Sequence, residues 1–280
     1  MTGFLDLPLE IRNHVYDILL WEKLDPELRG VMVVKERYVK RDLPVRSYRG
    51  LLRVCRQTHH EFKRAIHHMV AAKQLNYDLT MTFSHGRPFF SLTWSWFPAL
   101  SPTINHLCIN VDLRTQEPMT VPRSTELVVP DEHELALLLE EMPNNFAEQL
   151  FGYLAILLRS LASLLASGNT AFRILYTECV TFNLRTPTEP ILPAGHINPI
   201  YHCRRVPLDA EEARELHDIM QDTLKATSNW FNGFHAEDCN TLSPLIQIGS
   251  LRFATEGVVW AEGHNLVLPS HTDRFSWLLY

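Results

Sequence analysis

The chain has 280 residues, 46% of them hydrophobic and 21% charged, with a formal net charge of −6 at pH 7. That is a globular balance, long enough to bury an apolar core without disulfide or metal staples. The acidic excess argues against a nucleic-acid-binding face, and the one basic stretch, 35–53, is diluted by Glu36 and Asp42.

The first helix has Pro8 near its start, where a missing N–H costs nothing. Ile11, Val15, Ile18 and Leu19 recur on one side of it, and Asp25, Pro26 and Gly30 mark its exit. Residues 31–45, VMVVKERYVKRDLPV, alternate loosely, as either a hairpin or an extended loop. A second helix starts at Leu51, with Leu51, Cys55, Phe62, Ile66 and Val70 on its apolar face. The run 104–113, INHLCINVDL, alternates and is rich in branched residues, which predicts a strand. A polar, proline-bearing loop covers 115–130. A helix is predicted over 145–167, opened by a capping box of Asn145 and Glu148 and closed by Gly168. A strand over 172–184 and a proline-rich loop over 187–207 follow. The next helix is capped by Asp209 and Glu212 and stops at Gly233. Two β-rich runs broken by AEGH at 261–264 end the chain.

Strand, helix, strand, helix, strand after residue 75 requires crossover connections. The expected fold is α+β or α/β. A small N-terminal helical unit occupies 1–74, and a mainly parallel sheet with crossover helices, the substrate- or ligand-binding region, occupies 75–280. The wide strand spacing is long for a leucine-rich repeat but leaves a degenerate form of one open.

LDLPLEIRNHVYDILL (5–20) and LLRVCRQTHHEF (51–62) resemble the two signatures of fungal F-box-like proteins. The first carries Leu7, Pro8, Glu10, Ile11 and the helix end from Tyr16 to Leu20. The second is a Leu-Leu-x-Val-Cys-Arg-Gln run that leads into a helix. With SPTINHLCINV (101–111), the resemblance covers the first 110 residues or so. It implies a module that docks on the Skp-family adaptor of a Cullin–RING ubiquitin ligase. Leu7, Pro8, Ile11, Val15 and Leu19 would form the adaptor face, and the C-terminal region would select the substrate. One departure is the long charged loop between the two helices, which an ordinary F-box brings close together. Without the resemblance, the same helices read as caps on the sheet domain.

HHEFKRAIHH (59–68) lacks the spacing of a helical zinc pair, since position 64 is Arg. His202, Cys203, His235 and Cys239 have no Cys-x-x-Cys to anchor a metal. No glycine-rich phosphate loop or Gly-x-Ser-x-Gly elbow occurs, so no metal and no cofactor is expected. The aromatic content points elsewhere. FFSLTWSWFPAL (89–100) reads as a loop beside a strand, and Trp94 and Trp96 there, with Tyr176, Glu178, Trp230 and Trp260, are candidates to line a pocket for an apolar small molecule. In the strand 172–184, Tyr176, Glu178 and Val180 are expected on one side. The alternative function is a cofactor-independent small-molecule enzyme of fungal secondary metabolism, an isomerase, a cyclase or pericyclase-type enzyme, or a lyase, using an aromatic-lined pocket. Five dispersed cysteines and an N-terminus without a signal-peptide pattern lead us to expect a cytoplasmic or nuclear protein with free thiols and no membrane span.

Overall fold

The computed structural model describes residues 3–22, 31–35, 38–40, 51–85, 89–116, 143–168, 174–186, 203–205, 211, 214–223, 245–260 and 264–268. A short 3-10 turn, Phe4–Asp6, leads through Pro8 into helix α1, Leu9–Trp21. The Pro8 carbonyl accepts the Ile11 and Arg12 amides, each at 3.1 Å, and so starts the helical ladder. A turn of helix α2, Leu51–Val54, precedes helix α3, Arg56–Ala71. Cys55 caps α3, its sulfur accepting from the Thr58 amide at 3.4 Å. Thiols are uncommon in that role, which oxygen side chains usually fill.

The two helices touch, but not through the stripe that looks most apolar. The buried line on α1 is Arg12, Tyr16 and Leu20, each four residues from the next. Arg12 grips Glu61 of α3 with two parallel bonds, Nε to Oε2 at 2.9 Å and Nη2 to Oε1 at 2.8 Å. Its Nη1 donates to the carbonyls of Leu5 and Leu7, so one guanidinium fastens the leading turn and the second helix together. The Tyr16 hydroxyl donates to Glu61 at 3.0 Å, and its ring lies 5.6 Å from that of Phe62.

The strands are β1 (Val31–Lys35), β2 (Tyr38–Lys40), β3 (Asn76–His85), β4 (Phe89–Trp96), β5 (Thr103–Gln116), β6 (Ile174–Arg185), β7 (Cys203–Arg205), β8 (Leu245–Thr255), β9 (Val258–Val259) and β10 (His264–Leu268). They form one sheet in the order β10-β8-β6-β5-β3-β4-β1-β2, with β7 beside β5 and β9 beside β8. The central pairs β3–β5, β5–β6 and β6–β8 are parallel. Antiparallel hairpins extend both flanks. The expected α+β fold with a parallel sheet is what forms. Residues 31–35 and 38–40 pair antiparallel, as the hairpin alternative expects, and residues 89–96 are the strand β4 rather than a loop. β3, β5, β6 and β8 advance in one direction across the sheet, as strands of a solenoid do.

Helix α4, Pro143–Gly168, crosses from β5 to β6. It begins at Pro143, two residues before the expected Asn145, proline being preorganised for the first helical position. Leu150, Leu154, Leu157, Leu158 and Leu161 are buried, and Phe151 meets the rings of Phe182 and Phe253 edge-on. Helix α5, over 214–223, buries Leu216, His217 and Met220 on the same side. The expected continuation of this helix to Gly233 lies outside the described residues, as do residues 261–263 of the AEGH turn. Tyr16, Leu20 and Phe62 belong to the same core cluster as Trp94, Leu107 and Phe182, so the helical unit and the sheet share one interior.

The other face of the sheet is polar. Asn110 donates to Asp78 at 2.7 Å, Asn183 donates to Asn110 at 2.8 Å, and the Gly257 amide donates to Asn183 at 2.8 Å. This amide ladder crosses β3, β5 and β6 and ends at the β8–β9 turn. Glu256 and Gly257 both have positive φ there (48° and 83°), as a two-residue hairpin turn requires. Beside the ladder, Arg185 reaches Asp112 at 3.1 Å and Thr80 at 2.9 Å.

Candidate functional site

Three neighbouring strands change face at the same level of the sheet. In β6 the core side chains are Leu175 and Thr177, then Val180, Phe182 and Leu184. In β5 they are Ile104, then Leu107, Ile109 and Val111; in β8 they are Ile246 and Ile248, then Leu251 and Phe253. Strict alternation would keep Val180 beside Tyr176 and Glu178, as expected from sequence. Instead Val180 turns into the core, because two residues per strand are spent off the apolar face. Such local irregularities re-aim side chains and recur beside functional sites.

A cleft of about 440 Å³ opens where this happens. The paired off-core residues line it: Asn105 and His106 from β5, Glu178 and Cys179 from β6, Gly249 and Ser250 from β8. Tyr176, Arg252, Asn76 and Lys73, at the end of α3, complete it. The cleft is open to solvent.

The electrostatics are specific. Lys73 sits at φ 58°, a left-handed position at a helix end that usually falls to glycine. Its ammonium hydrogen-bonds Glu178 Oε1, while Asn105 donates to Oε2 at 3.2 Å. Those two bonds, Lys73 first, hold the Glu178 carboxyl below its ordinary range, and the Lys73 ammonium is raised in turn. His106 lies 2.9 Å from the Thr181 hydroxyl; burial and the nearby Arg252 push its imidazole down. Arg252 donates Nε to Ser250 at 3.2 Å and pairs with no carboxylate among the described residues. A Cβ at Gly249 would fall 2.6 Å from the Tyr176 hydroxyl and 2.9 Å from the Glu178 carbonyl. Glycine there lets the Tyr176 ring lie across β8. Among the described residues no three His, Cys, Asp or Glu side chains gather as a metal site.

Of the residues singled out in the sequence, Tyr176 and Glu178 meet in this cleft. Trp94 does not; it is 1% exposed in the core, in ring contact with Tyr77 and Phe97. Trp96 stacks on Trp21 at 5.3 Å and donates to the Leu20 carbonyl at 3.2 Å, which ties the end of α1 to the sheet. Trp260 lies under the Arg214 guanidinium, 4.9 Å from its ring centre, outside the cleft. Trp230, His202, His235 and Cys239 lie outside the described residues. His59 is held by the Leu52 carbonyl at 3.0 Å. Lys73, Asn105, His106, Gly249 and Arg252 were not singled out; a positive-φ lysine or a strand glycine becomes informative only once the neighbouring strand is known.

A second surface is apolar. Leu7 is 37% exposed, Ile11 49% and Leu19 38%, while Pro8 is exposed and Val15 half-buried. Leu5, Leu9, Ile18 and Trp21 are exposed beside them. No helix among the described residues is long and apolar enough to cross a membrane.

No protein-family model, no curated protein and no solved structure matches this chain.

Proposed function

We propose that the chain is an F-box-like protein-interaction module that works in the cytoplasm or nucleus. Its N-terminal helices dock on a Skp-family adaptor of a Cullin–RING ubiquitin ligase, and the polar side of its sheet receives the target. One observation carries this reading: α1 is anchored through Arg12, Tyr16 and Leu20 while Leu7, Ile11, Ile18 and Leu19 stand in water. Contiguous apolar exposure of that kind marks an interaction site. A helix that served only as a cap would turn this stripe inward. The open, polar cleft on the sheet suits a protein surface better than the enclosed aromatic cavity that an apolar metabolite needs.

The test is co-purification of the whole chain with a Skp-family adaptor. Ile11→Asp abolishes capture and leaves the melting midpoint nearly unchanged. Retained capture by that variant, or absence of capture by the unmodified chain, overturns the docking role.

A further inference from the structure

We propose that the cleft on the sheet recognises a carboxylate side chain, Asp or Glu, in an extended acidic segment of the target protein. The inference rests on the reading that the sheet's polar side receives the target. Arg252 is its centre. Ser250 holds Nε at 3.2 Å, and the two terminal amino groups have no protein partner among the described residues. A planar guanidinium so oriented matches the two oxygens of a carboxylate. The Tyr176 hydroxyl, laid over Gly249 in the same cleft, likewise makes no hydrogen bond among the described residues and supplies a further donor.

Charge decides between a carboxylate and a phosphate. Two cations, Lys73 and Arg252, line the cleft with one anion, Glu178. The Glu178 oxygens are already held by Lys73 and Asn105. One added negative charge neutralises the cleft. A dianionic phosphate group leaves an excess that Glu178 repels. The openness of the cleft decides between a chain segment and a free metabolite, because small-molecule pockets enclose most of their ligand.

The test is fluorescence anisotropy of the full chain with a dye-labelled, end-blocked octapeptide of alternating Glu and Gly. Its Gln counterpart, its phosphoserine counterpart and free glutarate are the comparisons. The Glu peptide is expected to bind saturably and to weaken as salt rises. Replacing Glu by Gln, or Arg252→Gln in the protein, weakens binding about tenfold or more, the worth of a charged hydrogen bond. Tyr176→Phe weakens it less. Arg252 is exposed, so Arg252→Gln folds; its melting midpoint is the control. Equal binding of the Glu and Gln peptides, no saturable binding, or full affinity in Arg252→Gln overturns the inference. Tighter binding of the phosphoserine peptide than of the Glu peptide overturns the choice of carboxylate. Displacement by glutarate at the peptide's own concentration range overturns the choice of a chain segment. Adaptor capture is read on the same samples. Loss of peptide binding with capture intact overturns this inference alone, and loss of capture with peptide binding intact overturns the docking role alone.

Discussion

The helical pair and the parallel sheet divide their side chains in opposite ways. The sheet buries Leu107, Ile109, Val111, Val180 and Phe182 completely and turns amides, hydroxyls and charges to its other side. Helix α1 buries an arginine and a tyrosine and leaves Ile11, Ile18 and Trp21 about half exposed. The sheet holds the molecule together. Helix α1 is held by the bonds of Arg12 and Tyr16 to Glu61 and by the burial of Tyr16 and Leu20, and its Ile11 and Ile18 side faces solvent.

The contrast breaks first in the sheet. Phe182→Ala removes a ring stacked on Phe253 and edge-on to Phe151, and should cost about 3–5 kcal/mol in denaturant unfolding. Asn110→Ala cuts the amide ladder and leaves Asp78 and Asn183 each short of one partner, for a loss of about 1–3 kcal/mol.

In the helical pair the sensitive variable is pH. Hydrogen bonds from Arg12, and then Gln57 and Tyr16, hold the Glu61 carboxyl down to about 2. A carboxyl whose folded value lies below its unfolded one lends stability above the unfolded value of about 4.3 and loses it as pH falls toward the folded value. Acidification through that window should release α1 before the sheet, read as faster hydrogen exchange in its amides. Glu61→Gln should flatten the dependence. If α1 and the sheet lose protection together in acid, the two regions are one cooperative unit and the comparison fails.

Ile11→Asp should shift stability by no more than about 0.5 kcal/mol, as substitutions at exposed positions do. The smallest change is expected from Lys73→Gly. It relieves a left-handed backbone and removes a mostly exposed ion pair, so the melting midpoint should stay level or rise slightly. A clear drop would show that the Lys73–Glu178 contact does more than shape the cleft.

Helix α1 shows where the sequence is legible and where it stops. Period and proline placement mark the helix, and the stripe of Ile11, Val15, Ile18 and Leu19 is present as expected. Its packing face is hidden because two of the three residues are Arg12 and Tyr16. Both bond to Glu61, 49 and 45 positions away, and periodicity carries no trace of that. The sheet is similar. Branched runs predict β5 and β6, and Tyr176 and Glu178 are recognisable together. The change of face at Glu178 and Cys179 is a property of three aligned strands, so no single strand announces it. Trp94 and Trp96 mislead for a simpler reason: a large ring is as useful in a core or a helix anchor as in a pocket.

The amide ladder runs one way. An asparagine both gives and takes a hydrogen bond, so a row of them needs a terminus that only gives and another that only takes. The Gly257 amide is the giver and the Asp78 carboxylate the taker, and every link between them points from the hairpin turn toward β3. Neither asparagine is free to turn its amide over without opposing its neighbours. A change at the turn, such as Gly257→Pro, would therefore be felt three strands away, where Asp78 waits at the end of the queue.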